Sequence, residues 1–353
     1  MHVWFLKRVP ATRIIDMKGD DKISINHGSG YKLTRDLIET EFLKVFGIPE
    51  PLTDSAVMQV GDSILSFTTD SYVVDPLFFP GGDIGKLSVC GTVNDLAVSG
   101  ATPEYISAAF IIEEGFPLND LRVIIRSMAA EAEKAGIRIV TGDTKVVGKG
   151  KCDGMFITTS GVGILPSGHK EIGSGRLIEP GDKLIVNGPV GNHSVAVLGA
   201  RNNLNFSSEV VSDCASLNRL IKSILIGSDQ IHFMRDLTRG GLAVVLNELA
   251  SMADVSIEVD EAVIPVDDPV KGLCEILGFD PLYLANEGKI LVVAGKDSYI
   301  NILEVMKSFP EGKGAAVIGE VTGDAGSSVT LNTIVGGKRL LSVPSGLQLP
   351  RIC

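Results

Sequence analysis

"NDLRVIIRSMAAEAEKAGIRIVTGDTKVV", residues 119–147, reads as a helix that hands over to a strand. Leu121, Ile124, Ile125, Met128 and Ala132 share one face at helical spacing. Asn119 or Asp120 can cap the start and Gly136 can end it, and a strand is expected over 137–147. The alternation extends in both directions. "SILSFTTDSYVV" (63–74) is β-branched and bounded by turn residues, and strands are expected at 103–114 and 155–165. A Gly/Ser/Pro-rich stretch at 166–182 reads as a domain boundary. Beyond it "KLIVNG" and "KILVVAG" read as strands, while "SDCASLNRLIKSIL", "RGGLAVVLNELASMA" and "SYINILEVMKSF" read as helices. The pattern predicts an α/β (α+β) chain with domains at 24–165 and 175–341, and a mobile tail at 342–353 ending in Cys353.

Bulk composition narrows the function. With 353 residues, 44% hydrophobic and 21% charged, the chain can bury the cores of two ordinary domains. A formal charge of −11 argues against coating nucleic acid or an anionic membrane, both of which need a dominant basic face. Forty glycines exceed the usual share of roughly 7%, so many close backbone approaches are expected. The five cysteines are odd in number and widely spaced, which supplies neither a disulfide framework nor a zinc knuckle and suits a reducing cytoplasm. Cys90, Cys214 and Cys274 read as small apolar core residues in helical patterns. An apolar run at 3–6 precedes Lys7 and Arg8, the reverse of a signal peptide, so neither export nor a membrane span is expected. Residues 1–23 read as an extension and the start of a flexible segment.

Phosphate motifs of the standard kinds fail. "GGDIGKLS" (81–88) has Pro80 where a Walker loop needs its first glycine, and Leu87 in place of the magnesium-binding hydroxyl. No GxGxxG follows a strand. What remains is a set of acidic motifs beside glycines: "HGSGY" (27–31), Asp70 and Asp75 in "TTDSYVVDP", Asp83 and Lys86 in "GGDIGK", Asn94 and Asp95 in "GTVNDLAVSGA", Asp143 and Lys145 in "TGDTKVV". Carboxylates that hold magnesium, near glycine N–H groups that approach phosphate oxygens, suit a nucleoside triphosphate. Asn94-Asp95 stands out, because it interrupts an otherwise small, apolar stretch and a half-buried carboxylate needs a partner.

Together with "FTTDSYVVDPLFFPGGDIGKL", "DLTRGG", "ANEGK" and the closing "PRIC", these motifs resemble the HypE family of nickel–iron hydrogenase maturation proteins. That family falls in the superfamily of aminoimidazole ribonucleotide synthetase, selenophosphate synthetase and thiamine-monophosphate kinase. The resemblance runs from about residue 24 to 353, with Tyr31 a departure where the glycine-rich segment of the family continues with Gly. It implies a two-domain, homodimeric fold of the synthetase type, with the strands at 63–74 and 103–114 pairing across a dimer axis. It also implies an ATP- and magnesium-dependent dehydration. A carbamoyltransferase, HypF, loads a carbamoyl group on Cys353; loss of water leaves a thiocyanate; a HypC–HypD scaffold receives the cyanide for the hydrogenase iron.

In that scheme Asp70, Asp95 and Asp143 hold magnesium, and Asp83 is a further acidic candidate on the nucleotide side with Lys86, Asn94 and Thr144. His27, Gly28, Ser29 and Gly30 cover the phosphates. Lys145 stabilises developing charge and Glu287 removes protons from the amide nitrogen. Twelve residues from Ser342 span at most roughly 40 Å, enough for a tail that swings between partners. Two other readings stay open: a kinase or synthetase acting on a free small molecule, although no cysteine precedes Cys90, and a non-catalytic adaptor whose terminal carboxylate docks in a partner. His193, in "GPVGNHSV", falls in a loop near the tail with no role assigned.

Overall fold

The computed structural model describes residues 22–48, 51–201, 209–323, 326–344, 349 and 351–353. The extension expected at the N-terminus, up to residue 21, and positions 345–348 and 350 of the tail lie outside the described residues. After a short glycine-rich turn, α1 (Lys32–Leu37) continues through a π-turn into α2 (Lys44–Phe46). A sheet then forms from the hairpin β1 (Ala56–Val60) and β2 (Ser63–Tyr72). The small ribbon of β3 (Phe78–Phe79) and β4 (Gly82–Asp83) leads into α3 (Ile84–Val98). Next come β5 (Thr102–Glu113), α4 (Leu118–Ala135), β6 (Arg138–Val147) and β7 (Met155–Ile164). The five strands lie in the order β1-β2-β7-β5-β6. Only β5 and β6 run parallel, because α4 carries the chain across between them.

The helix of α4 forms over the expected stretch, with one difference at its start. Pro117 occupies the cap position, where its ring fixes φ, and Asn119 sits inside the first turn and accepts a hydrogen bond from Arg122. Gly136 closes the helix in the left-handed conformation, as expected.

The second half is built on a seven-stranded sheet in the order β14-β13-β10-β12-β8-β11-β9. In chain order its elements are β8 (Lys183–Val186), α5 (Asn192–Ala200), α6 (Asn218–Gly227), β9 (Ile231–Asp236) and α7 (Gly241–Ala253). They continue with β10 (Ser256–Asp260), α8 (Asp268–Leu277), β11 (Ile290–Ala294), α9 (Tyr299–Lys307), β12 (Ala316–Thr322), β13 (Val329–Asn332) and β14 (Lys338–Leu340). Successive side chains point to opposite faces. Leu184, Val186, Leu291 and Val293 therefore face a core shared with α7, and Ile185 and Val292 face one shared with α6 and α9.

Helix α3 holds the halves together. Every residue in it is buried except Lys86 and Asp95, and it touches β2, β7 and α4 on one side and α6 and β9 on the other. Small residues make this close packing feasible: a Cβ on Gly91 would sit 2.2 Å from the Tyr72 hydroxyl. The Asn94 side chain donates to the Ala215 carbonyl at 3.0 Å and accepts from the Leu217 N–H at 2.8 Å. That tie explains a departure from expectation. The helix read over 212–225 starts only at Asn218, because the N–H groups before it are taken elsewhere: Ser212 by the Pro80 carbonyl, Ser216 by Glu131, Leu217 by Asn94. Cys214 accordingly lies ahead of the helix, although it is buried as expected.

No helix among the described residues is long and apolar enough to cross a membrane. Asn94→Ala leaves the buried Leu217 N–H without its acceptor, a loss of about 2 kcal/mol. We expect a lowered thermal midpoint, with Asn94→Asp, which keeps the acceptor, melting closer to the parent protein.

Candidate active site

Carboxylates from both halves meet in the seam between the two sheets, in a cleft of about 690 Å³. Asp54 comes from the loop before β1, Asp70 from β2, Asp95 from α3, Asp236 from the end of β9 and Glu287 from the loop before β11. Oxygens of Asp54, Asp95 and Asp236 lie within 4.8 Å of one another. Arg235 pairs with Asp54 at 2.9 Å and with Glu248 at 2.9 Å, and Thr68 donates to Asp95 at 2.8 Å. Tyr72 donates to Asp70 at 3.2 Å.

So many acids in one low-dielectric space cannot all ionise. Burial first, and then mutual repulsion, push Asp95, Asp236 and Glu287 well above the usual carboxylate range. Asp54 is also raised, chiefly by burial, with Arg235 opposing. Glu287 is 3% exposed and its Oε1 has no hydrogen-bond partner among the described residues. The three clustered carboxylates, with an orphaned oxygen nearby, fit a hard divalent cation that binds oxygen and would offset their repulsion.

The glycine-rich turn lies over the cleft. Gly28 and Ser29 line an adjoining cavity of about 330 Å³, and Gly30 lines the acidic one. Gly30 has φ +80° and packs so tightly on Arg239 that a Cβ would come within 2.8 Å of that side chain. His27 turns back to cap Ser24 instead, and Tyr31 is buried in the second core beside Tyr283. Cys353 lies where the two cavities meet, beside Arg239. Burial pushes its thiol up to about 12, with the Arg239 guanidinium working against that rise.

The other residues singled out from sequence are placed elsewhere. Asp83 caps α3, accepting from the N–H groups of Gly85 and Lys86, and Lys86 donates to the Gly81 carbonyl. Asp83 stands twelve positions before Asp95, about 18 Å along the axis, and neither Asp83 nor Lys86 lines the cleft. Asn94 faces the second half, as described. Asp143, Thr144 and Lys145 lie on the exposed edge strand β6, where Lys145 pairs with Asp143 at 2.6 Å, and none of them lines the cleft. Asp54, Asp236, Arg235 and Arg239 were not assigned from sequence. A signal existed for two of them: Asp236 and Arg239 bracket "DLTR", charges set between an apolar strand and a Gly-Gly helix start.

Family models for AIR synthase related proteins match both halves, the N-terminal domain over residues 52–165 and the C-terminal domain over 179–332. "Carbamoyl dehydratase HypE" from Rhodobacter capsulatus is 50% identical over 95% of this chain and 99% of its own. The chain belongs to the HypE family. A solved HypE–HypF complex contains a chain 46% identical with a TM-score of 0.81, covering 87% of this chain and 99% of that one. A HypE solved with ATP is 43% identical with a TM-score of 0.78, covering 93% of this chain and 98% of that one. Both halves of the fold, their order and the α/β two-domain class are therefore those of HypE proteins.

The raised carboxyls bind more protons folded than unfolded, so their contribution to stability is present at low pH. It is lost as pH rises from about 4, the unfolded value, through their folded values. With divalent cations chelated, Asp236→Asn should therefore gain thermal stability relative to the parent protein at pH 8 and not at pH 4. Magnesium should raise the midpoint of the parent protein more at pH 8 than at pH 5, because it competes with protons for the same oxygens. Calorimetry in chelator and in millimolar magnesium checks both.

Proposed function

We infer that this chain is an ATP-dependent carbamoyl dehydratase of hydrogenase maturation, acting on a carbamoyl group carried by its own Cys353. The observation that carries the reading is the position of that residue, which lines the acidic cleft together with Glu287 and Arg239. An amide oxygen is a poor leaving group. Attack by the carbamoyl oxygen on the γ-phosphorus of ATP expels ADP and turns that oxygen into a phosphate ester. The ester then departs as phosphate, the nitrogen gives up both protons, and the carbon–nitrogen triple bond of the thiocyanate forms. Glu287, with its raised affinity for protons and free Oε1, is our choice as the base. A magnesium ion held by Asp54, Asp95 and Asp236, with Asp70 alongside, would neutralise phosphate charge. The docked thiol is neutral and a poor nucleophile. Loading therefore belongs to an undocked tail, and we assign it to a HypF-type carbamoyltransferase, as the solved complex of a relative suggests. A HypC–HypD complex is our proposed cyanide acceptor, and the reducing cytoplasm our proposed compartment, on the strength of the separated, odd set of cysteines.

We further propose that Asp143, Thr144 and Lys145 reach the site of a second copy. The first sheet exposes Val57, Phe67, Tyr105, Ile111, Val140 and Val146, apolar surface suited to a homodimer. Mixing inactive Asp95→Asn and Asp143→Asn proteins then tests the sharing. Random pairing should restore about a quarter of the parental ATP turnover, because half the dimers are mixed and each carries one intact site. No recovery on mixing would keep the β6 residues out of the partner's site. Separately, Glu287→Gln should slow dehydration by about 100-fold or more while ATP still binds. With carbamoyltransferase, carbamoyl phosphate and ATP, intact mass should show a carbamoyl adduct that persists rather than losing water.

A further inference from the structure

The last three residues are held by their backbone. The carbonyl of Arg351 and a terminal carboxylate oxygen of Cys353 accept from the N–H groups of Asp75 and Val73, at 3.2 and 3.1 Å, extending the line of β2. Arg201 also donates to the Arg351 carbonyl at 2.9 Å. Ile352, between them, is 4% exposed and buried in the first core with Phe79 and Val74. Its carbonyl lies 2.8 Å from Nε2 of His193, the second residue of α5. The His193 ring is fully buried, edge-on to Phe79 at 5.3 Å, and its Nδ1 lies 2.8 Å from the Ser212 hydroxyl.

One proton arrangement satisfies every partner. A carbonyl only accepts, so Nε2 carries the hydrogen and donates to Ile352. In the neutral ring Nδ1 then accepts from the Ser212 hydroxyl, which itself accepts the Cys214 N–H at 3.1 Å. Burial, which lowers the affinity of His193 for a second proton, is consistent with the neutral form. The tautomer is thus fixed by a chain running from the second half of the molecule to the peptide next to Cys353.

We propose that His193 is the positioning residue of the slot between residues 73–75 and the start of α5 in which the last three residues sit, fixing the peptide before Cys353 and so the place of the thiol. It deepens the dehydratase reading, resting on that reading only for what Cys353 carries. Without the donor the Ile352 carbonyl is buried unpaired, whereas in the undocked tail water satisfies it. The docking equilibrium shifts outward by roughly an order of magnitude, the size of one lost buried hydrogen bond.

The full-length protein tests this through the reactivity of Cys353, since the other four cysteines are buried. Cys353 is treated with iodoacetamide and its alkylation followed by peptide mass. We expect His193→Ala to be alkylated at Cys353 about tenfold faster than the parent protein. His193→Gln, whose amide nitrogen reaches the place of Nε2, should stay within about threefold of the parent, and His193→Asn, which mimics only Nδ1, should match the alanine variant. Unfolding would label all five cysteines, so labelling confined to Cys353 reports release of the tail. Equal rates in parent and alanine variant would overturn the proposal. So would rescue by asparagine as good as by glutamine, a comparison that still decides if the alanine variant fails to fold. With carbamoyltransferase, carbamoyl phosphate and ATP, loading of the alanine variant should be faster than in the parent protein, by up to about tenfold, and the later loss of water should slow about tenfold. Absence of dehydration in the parent protein would count against the dehydratase reading, while the alkylation pattern would still decide the role of His193.

Discussion

Two adjacent residues of one buried helix set the rest of the molecule in place. Asn94 spends its side chain on the second half, fixing residues 215–217 against α3. Asp95, next along the helix, is turned by about 100° into the cleft, where it meets Asp54 and Asp236. The tie between the two sheets and the floor of the site therefore share a helical register. A shift of α3 by one residue would break both, and the glycines that let it lie tightly on β2 and β7 guard against that shift.

The cleft concentrates negative charge, and the surrounding structure offsets only part of it. Arg235 bridges Asp54 and Glu248, while Arg239 stands at the mouth beside the tail. Asp95, Asp236 and Glu287 are left holding protons more tightly than usual. That imbalance is useful for the proposed chemistry. In the proposed reading the clustered carboxylates would hold a cation, and a carboxylate with raised affinity for protons is, once ionised, a better base than a solvated one.

Docking and reactivity are opposed at Cys353. The same burial that seats Ile352 and aligns the backbone with residues 73–75 keeps the thiol neutral. Arg351 takes up a left-handed conformation, φ +53°, that is unfavourable for a side chain of its type. Its guanidinium compensates through the Val73 carbonyl and Asp153. Several modest polar contacts and the apolar side chains of Leu349 and Ile352 hold the tail, a grip that suits the withdrawal to a partner and return proposed above.

Much of this was determined by the sequence alone. The periodicity of 119–135 and the β-branched runs at 63–74 and 155–165 carry local information, and the elements form where expected because propensity and burial agree there. The ordered motifs ending in "PRIC" likewise singled out Asp70, Asp95, Glu287 and Cys353, which one chain brings to a single cleft. Only the tertiary structure decided the rest. Residues 212–217 leave the helical pattern because distant carbonyl and side-chain groups capture their N–H groups, which no local pattern records. Asp83 was indistinguishable in sequence from a ligand, yet a helix needs a cap and holds it far from Asp95. Asp54 and Asp236, separated by about half of the chain, become neighbours only when the two sheets close on α3. His193 gains its partner at Ile352 in the same way, since a contact between residues so remote exists only once the cores have packed.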